Sequence, residues 1–152
     1  MRVVILGCGR VGATLAHMLD VEGHDVTIVD LNIDAFRRLS TDFKGTAVVG
    51  TGIDEDVLRR AGIEQADAFV AVTNGDNTNI MSAQVARSVF GVPRVVVRIY
   101  DPVREETYRK LGLDTYCPTI LGARRIKSIL EGKEMGEASD LASRVRGGPT
   151  GL

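Results

Sequence analysis

Residues 2–12 read Arg-Val-Val-Ile-Leu-Gly-Cys-Gly-Arg-Val-Gly. A short apolar run feeds a Gly-x-Gly-x-x-Gly turn, and the turn opens an amphipathic stretch. A second apolar run, Asp25-Val-Thr-Ile-Val-Asp30, follows and ends in an acid. Strand, glycine turn, helix, strand and acid, with the acid about 20 residues after the glycines, make up the full context of a dinucleotide-binding fingerprint. Each glycine has its own duty: Gly7 permits the tight turn, Gly9 lets the backbone approach a pyrophosphate, and Gly12 lets the first helix pack on the sheet. The backbone N–H groups around Cys8, Arg10 and Val11 open that helix, and they carry the partial positive charge that suits phosphate oxygens. The alternative is a tight strand-to-helix turn that holds no ligand.

The same alternation continues along the chain. Apolar runs predict strands at Val3–Leu6, Val26–Val29, Ala47–Val49, Ala68–Val72, Val95–Ile99 and Thr115–Cys117. Several are apolar at consecutive positions, as strands buried on both faces of a parallel sheet are. Helical spacing predicts helices at Val11–Val21, Ile33–Asp42, Glu55–Ala61, Asn77–Phe90, Val103–Leu111 and Leu121–Glu131, with Asn32, Asp54 and Asp76 as start signals. The expected fold is therefore α/β: a doubly wound, Rossmann-like parallel sheet of about six strands with right-handed crossovers. Residues 1–131 read as one nucleotide-binding domain. Residues 132–152, rich in Gly, Ser and charge, read as a linker or tail, or as the cut edge of a longer protein.

Composition narrows the function classes. A net charge of −1 supplies no field to recruit nucleic acid or an anionic membrane, and at 5% aromatic residues a base-stacking surface is not expected. No run approaches the roughly 18 apolar residues of a membrane span. The first strand begins at Arg2, so no signal peptide is expected. Cys8 and Cys117 form neither a disulfide framework nor a zinc spacing, which fits a reducing cytosol.

Further candidate residues gather where the fold would bring ligands. Asp30, at the end of the second strand, can accept both ribose hydroxyls of an adenosine and would repel a 2′-phosphate, which disfavours NADP; the alternative is a helix N-cap or a solvated strand end. Arg10, inside the glycine loop, can pair with phosphates, or it reaches solvent. Cys8 reads as a small spacer rather than a reactive thiol, although a helix start could lower its pKa. Strands one and four flank the switch point, so Thr73, Asn74 and Asn77 after the fourth strand can reach ribose or phosphate, or cap the next helix together with Asp76. Arg98 lies within Val95–Ile99, and a buried strand holds a cation only beside an anion. That anion is Asp76, Asp101 or a nucleotide phosphate.

No catalytic set is found. His24 precedes the second strand, at the edge opposite the nucleotide, and His17 lies well into the first helix. No Ser-His-Asp set, Lys-Tyr pair or metal cluster is present. A non-enzymatic sensor is therefore expected; an NAD-dependent oxidoreductase fragment is the rival.

Gly7-Cys8-Gly9-Arg10-Val11-Gly12, Gly23-His24-Asp25-Val26 and Val29-Asp30 resemble the TrkA-N (RCK, or KTN) domain of potassium-uptake regulators. So do Gly50-Thr51-Gly52, Arg60-Ala61-Gly62-Ile63, Asn77-Thr78-Asn79, Val97-Arg98, Leu111-Gly112 and Cys117-Pro118, so that the likeness spans residues 1–131. The resemblance implies a cytoplasmic subunit, peripheral to the inner face of the cell membrane through its partner. It implies that this subunit binds NAD(H) or ATP/ADP and gates a membrane potassium transporter subunit. It places Arg10 and Arg98 near ATP phosphates. It also implies an acid after the third strand to read the adenine, where this chain has Thr51. A metal-binding Glu follows the proline in some relatives; Thr119 stands there, and no metal is expected. The apolar residues Ile120, Leu121, Ile126, Ile129 and Leu130 are either core or a patch for another subunit, and the resemblance favours a homodimer building toward a ring. The separate C-terminal ligand domain of many members is not expected within these residues.

Overall fold

Val3, Val4, Ile5 and Leu6 are all nearly inaccessible to water, although they point alternately to opposite faces of one strand. A strand buried on both sides must lie inside a sheet covered by helices on both sides. The structure, a computed structural model, describes residues 1–133. That strand is β1 (Arg2–Leu6), and it is followed by α1 (Arg10–Val21), β2 (Asp25–Asp30), a 3₁₀ turn (Ile33–Arg38), β3 (Thr46–Val49) and α2 (Glu55–Arg60). After a second 3₁₀ turn (Ile63–Gln65) come β4 (Ala68–Ala71), α3 (Asp76–Ser88), β5 (Arg94–Arg98), α4 (Pro102–Lys110), β6 (Asp114–Tyr116) and α5 (Pro118–Leu130).

The six strands form one sheet in the order β3-β2-β1-β4-β5-β6. Every pairing is parallel, with Leu6 opposite Val29 on one side and Ala71 on the other. The chain winds outward from β1 to β3, then returns to place β4 on the far side of β1. The reversal leaves a crevice beyond the carboxyl ends of β1 and β4. The expected doubly wound architecture is what the chain adopts.

Alternate residues of β1 feed two cores. Val4 and Leu6 join Val29, Phe69, Val97, Leu58, Ile63 and Ile80 on one face. Val3 and Ile5 join Val26, Ile28 and the α1 residues Ala13 and Ala16 on the other. Phe69 is fully buried, and burial of such a side chain contributes about 1.5–3 kcal/mol.

Two expectations are corrected. The helix expected over Ile33–Asp42 is a 3₁₀ turn ending at Arg38. Asn32 caps it as expected, accepting from the Asp34 N–H, but the Ser40 hydroxyl accepts from the Asp42 N–H at 3.2 Å, and such local bonds compete with helix propagation. Asp76 does not cap α3; Gly75 holds that position and Asp76 is the first helical residue. The Asp76 carboxylate instead accepts from the Tyr100 and Asp101 N–H groups, at 2.8 and 3.1 Å, and so ties the start of α3 to the end of β5. Asp54 caps α2 through the Asp56 and Val57 N–H groups, as expected.

The chain divides into two units, Met1–Cys117 and Pro118–Leu152. In the second, α5 is a 13-residue helix without a buried residue, and Ile126, Ile129 and Leu130 are exposed. Most of the tail expected over residues 132–152 lies outside the described residues.

The glycine loop is held by contact. A Cβ on Gly12 would lie 1.8 Å from the Gly7 carbonyl oxygen, whereas one on Gly9 would meet nothing within 4 Å. Gly12→Ala should lose at least about 1–3 kcal/mol of stability in urea unfolding, as overpacked sites do. Gly9→Ala should change stability by less than about 1 kcal/mol, the scale of a helix-cap substitution.

Candidate functional site

A cleft of about 430 Å³ opens at the switch point between β1 and β4. Gly7, Cys8 and Gly9 form its floor, Asp30 and Thr51 lie on one side, and Thr73 and Arg98 lie on the other. Gly7 has φ 104°, a left-handed conformation that favours glycine, and a Cβ there would meet the Val72 and Thr73 backbone at 2.9 Å. The loop thus rests directly on the end of β4.

α1 begins at Arg10 after Gly9, with no side-chain cap and no acid in its first turn. Its first N–H groups therefore remain open to an anion. Asp30 is fixed against this loop. One carboxylate oxygen accepts from the Cys8 N–H at 2.7 Å, and the other accepts from the Asn32 N–H at 2.8 Å. A carboxylate has about four lone-pair sites, so each oxygen keeps capacity for a hydroxyl donor.

Cys8 is fully buried, and its thiol donates to the Ala35 carbonyl at 3.4 Å. Burial pushes the thiol pKa up, the Asp30 charge pushes it further, and Arg38 opposes both. The Cys8 thiol is therefore held in its neutral form more firmly than a free one.

Arg98 is the cation on the far side. It is 8% exposed, its Nη2 donates to the Val72 and Thr73 carbonyls at 2.6 and 2.9 Å, and its guanidinium lies 4.8 Å from the Tyr100 ring centre. Its buried Nε–H has no hydrogen-bond partner among the described residues. The carboxylates expected as structural partners are committed elsewhere. Asp76 binds the β5 exit, and Asp101 caps α4 by accepting from the Val103 and Arg104 N–H groups. Among the described residues the strand cation thus meets carbonyl dipoles and an aromatic face rather than a carboxylate, and its Nε–H is left over.

The other expected residues divide. Gly7, Cys8, Gly9, Asp30, Thr51, Thr73, Asn74 and Arg98 line the cleft. Arg10 and Val11 are exposed on α1 outside its lining, and Gly12 works beneath the loop as a packing residue. Asn77 also lies outside the lining and accepts from Arg104 Nη2 at 2.7 Å.

Arg38, Thr78 and Asn79 are among the residues that sequence reasoning did not single out as site contacts. Arg38, at the end of the 3₁₀ turn, lines the cleft and reaches the Cys8 carbonyl at 3.5 Å. Thr78 lines the opposite side. Asn79, fully buried behind Thr73, bonds both Thr73 and Arg98. Its signal was present: Asn79, Ser82, Ala83 and Ala86 recur at helical spacing, the mark of a buried face of small residues.

Residues 3–118 match the family model described as the TrkA-N domain. Among curated relatives, the Trk system potassium uptake protein TrkA of Streptomyces coelicolor is 54% identical over 115 residues, covering 76% of this chain and 52% of that protein. The chain thus spans about half the length of that relative. Among solved structures, the GsuK bound to ADP has a TM-score of 0.73 at 26% identity, covering 88% of this chain and 34% of that one. The GsuK channel bound to NAD has the same score and identity and covers 91% of this chain and 25% of that one. With a family match over most of its length and a relative this similar, the chain belongs to the TrkA-N domain family.

Proposed function

We propose that this domain is a regulatory nucleotide sensor that binds NAD(H) or ATP/ADP through a shared adenosine diphosphate group. One contact carries the reading: the Cys8 N–H to Asp30 hydrogen bond of 2.7 Å. It joins the ribose-reading carboxylate to the open helix end, so the two halves of an adenosine diphosphate find their partners side by side. The diphosphate lies over Gly7, Cys8 and Gly9, the base lies near Thr51, and further phosphates extend toward Arg98. Thr73 and Asn74 supply hydrogen bonds, and Arg10 and Asn77 act outside the cleft, on parts of the ligand or partner that leave it.

No turnover is proposed. The cleft lining contains no histidine, lysine or tyrosine to move a proton. His24 hydrogen-bonds the amino terminus, before β2 and so at the end of the sheet away from the cleft. The bound nucleotide instead biases one of two subunit arrangements, which a membrane potassium transporter subunit reads. This fits a relative that is a Trk system potassium uptake protein. It also fits the described helices, none of which is long and apolar enough to cross a membrane. The exposed apolar residues of α5 offer the surface for a homo-oligomer, and the domain works at the cytoplasmic face through that partner.

Calorimetry with ADP, ATP, NADH and NADPH tests the sensor reading. The first three should bind competitively without turnover, and NADPH should bind more weakly; hydride exchange with any substrate would instead establish the oxidoreductase fragment. Asp30→Asn should weaken every adenosine ligand by about 1–3 kcal/mol, the worth of hydrogen bonds to a charged group. Unchanged affinity in that variant would remove the ribose role.

A further inference from the structure

A buried amide does more in this site than fill space. Asn79 is fully buried on α3 and uses both ends of its side chain. Its Oδ1 accepts from the Thr73 N–H at 2.9 Å and from the Thr73 hydroxyl at 2.6 Å. Its Nδ2 donates to the Thr73 carbonyl at 2.9 Å and to the Arg98 carbonyl at 2.9 Å. One side chain thus grips both sides of a single residue after β4 and the last residue of β5.

The grip falls on the atoms that orient the strand cation. The Thr73 carbonyl that accepts from Asn79 also accepts from Arg98 Nη2. Turning the Thr73 peptide would remove one of the guanidinium's two carbonyl partners, and releasing the Arg98 carbonyl would free the strand end that carries it. An apolar residue of similar size could fill the same buried space. A buried polar side chain costs free energy unless it is fully bonded, and a fully bonded network fixes one arrangement of its members. Here the arrangement fixed is that of a guanidinium whose buried Nε–H has no hydrogen-bond partner among the described residues.

We infer that Asn79 is a positioning residue, holding the Thr73 peptide and the end of β5 so that Arg98 faces the phosphate end of the nucleotide. The inference rests on the nucleotide-sensor reading above. It requires Asn79 to matter for phosphate binding through Arg98, and not for adenosine binding.

The test compares ADP with adenosine in the full chain and in the variants Asn79→Ser, Arg98→Gln and the double variant, by titration calorimetry or ligand-observed NMR. Asn79→Ser should weaken ADP roughly 10-fold or more beyond any effect on adenosine, the scale of a lost bond to a charged group. Added to Arg98→Gln, it should cost less than about twofold more, because residues acting through one partner are not additive. Equal loss of ADP and adenosine, or independent losses in the double variant, would overturn the positioning role and leave the nucleotide site standing. A wild-type chain that binds neither compound would remove the sensor reading and the positioning role together. Should Asn79→Ser not fold, as judged by circular dichroism, Asn79→Thr is read by the same comparison.

Discussion

The hydrogen bond between the Cys8 N–H and the Asp30 carboxylate holds the site in register. It connects the exits of two adjacent parallel strands, β1 and β2, whose pairing sets Leu6 opposite Val29. The strands deliver the two groups to the same height. The loop glycines then allow the approach: Gly7 lies against the β4 exit and Gly12 lies beneath Gly7. A side chain at either position would separate the carboxylate from the helix end. The chemistry of the cleft follows from how closely backbone can pack on backbone at the switch point.

Much of this is legible in the sequence because it depends on backbone demands that few residues meet. The strands could be read because consecutive apolar residues have one explanation in a two-sided sheet. The loop could be read because glycine spacing reports steric limits directly. Asp54 and Asn32 acted as helix starts because short polar side chains reach their own backbone. Other features were hidden because they depend on contacts far apart in the chain. Asp76 looks like a cap, yet it bonds N–H groups some two dozen residues away, at Tyr100 and Asp101. Arg98 looks as if it needs an acid, yet two carbonyls and a ring face its guanidinium instead. Arg38 enters the cleft only because the chain forms a short 3₁₀ turn there in place of a longer α-helix.

The two sides of the cleft differ in character. On the Asp30 side the groups come from the exits of β1, β2 and β3 and from the turn between Ile33 and Arg38. On the Arg98 side they form a chain of contacts through Thr73, Asn79, Tyr100 and Asp76 to the start of α4, where Asp101 provides the cap and Val103 is exposed. An adenosine recognised on the first side and phosphates felt on the second would be read by separable parts of the fold. Ligands sharing an adenosine but differing in phosphate would then share one anchor and differ at the other.

The unfinished start of α1 also bears on how the domain persists in a cell. Its leading amides have neither a side-chain cap nor a neighbouring acid in the first turn, so they stay open to water or to an anion from solution. Such an anion associates with the ordered chain and not with the denatured one, and mass action then couples folding to the abundance of that anion. Were the proposed nucleotide that anion, the melting temperature would rise with its concentration.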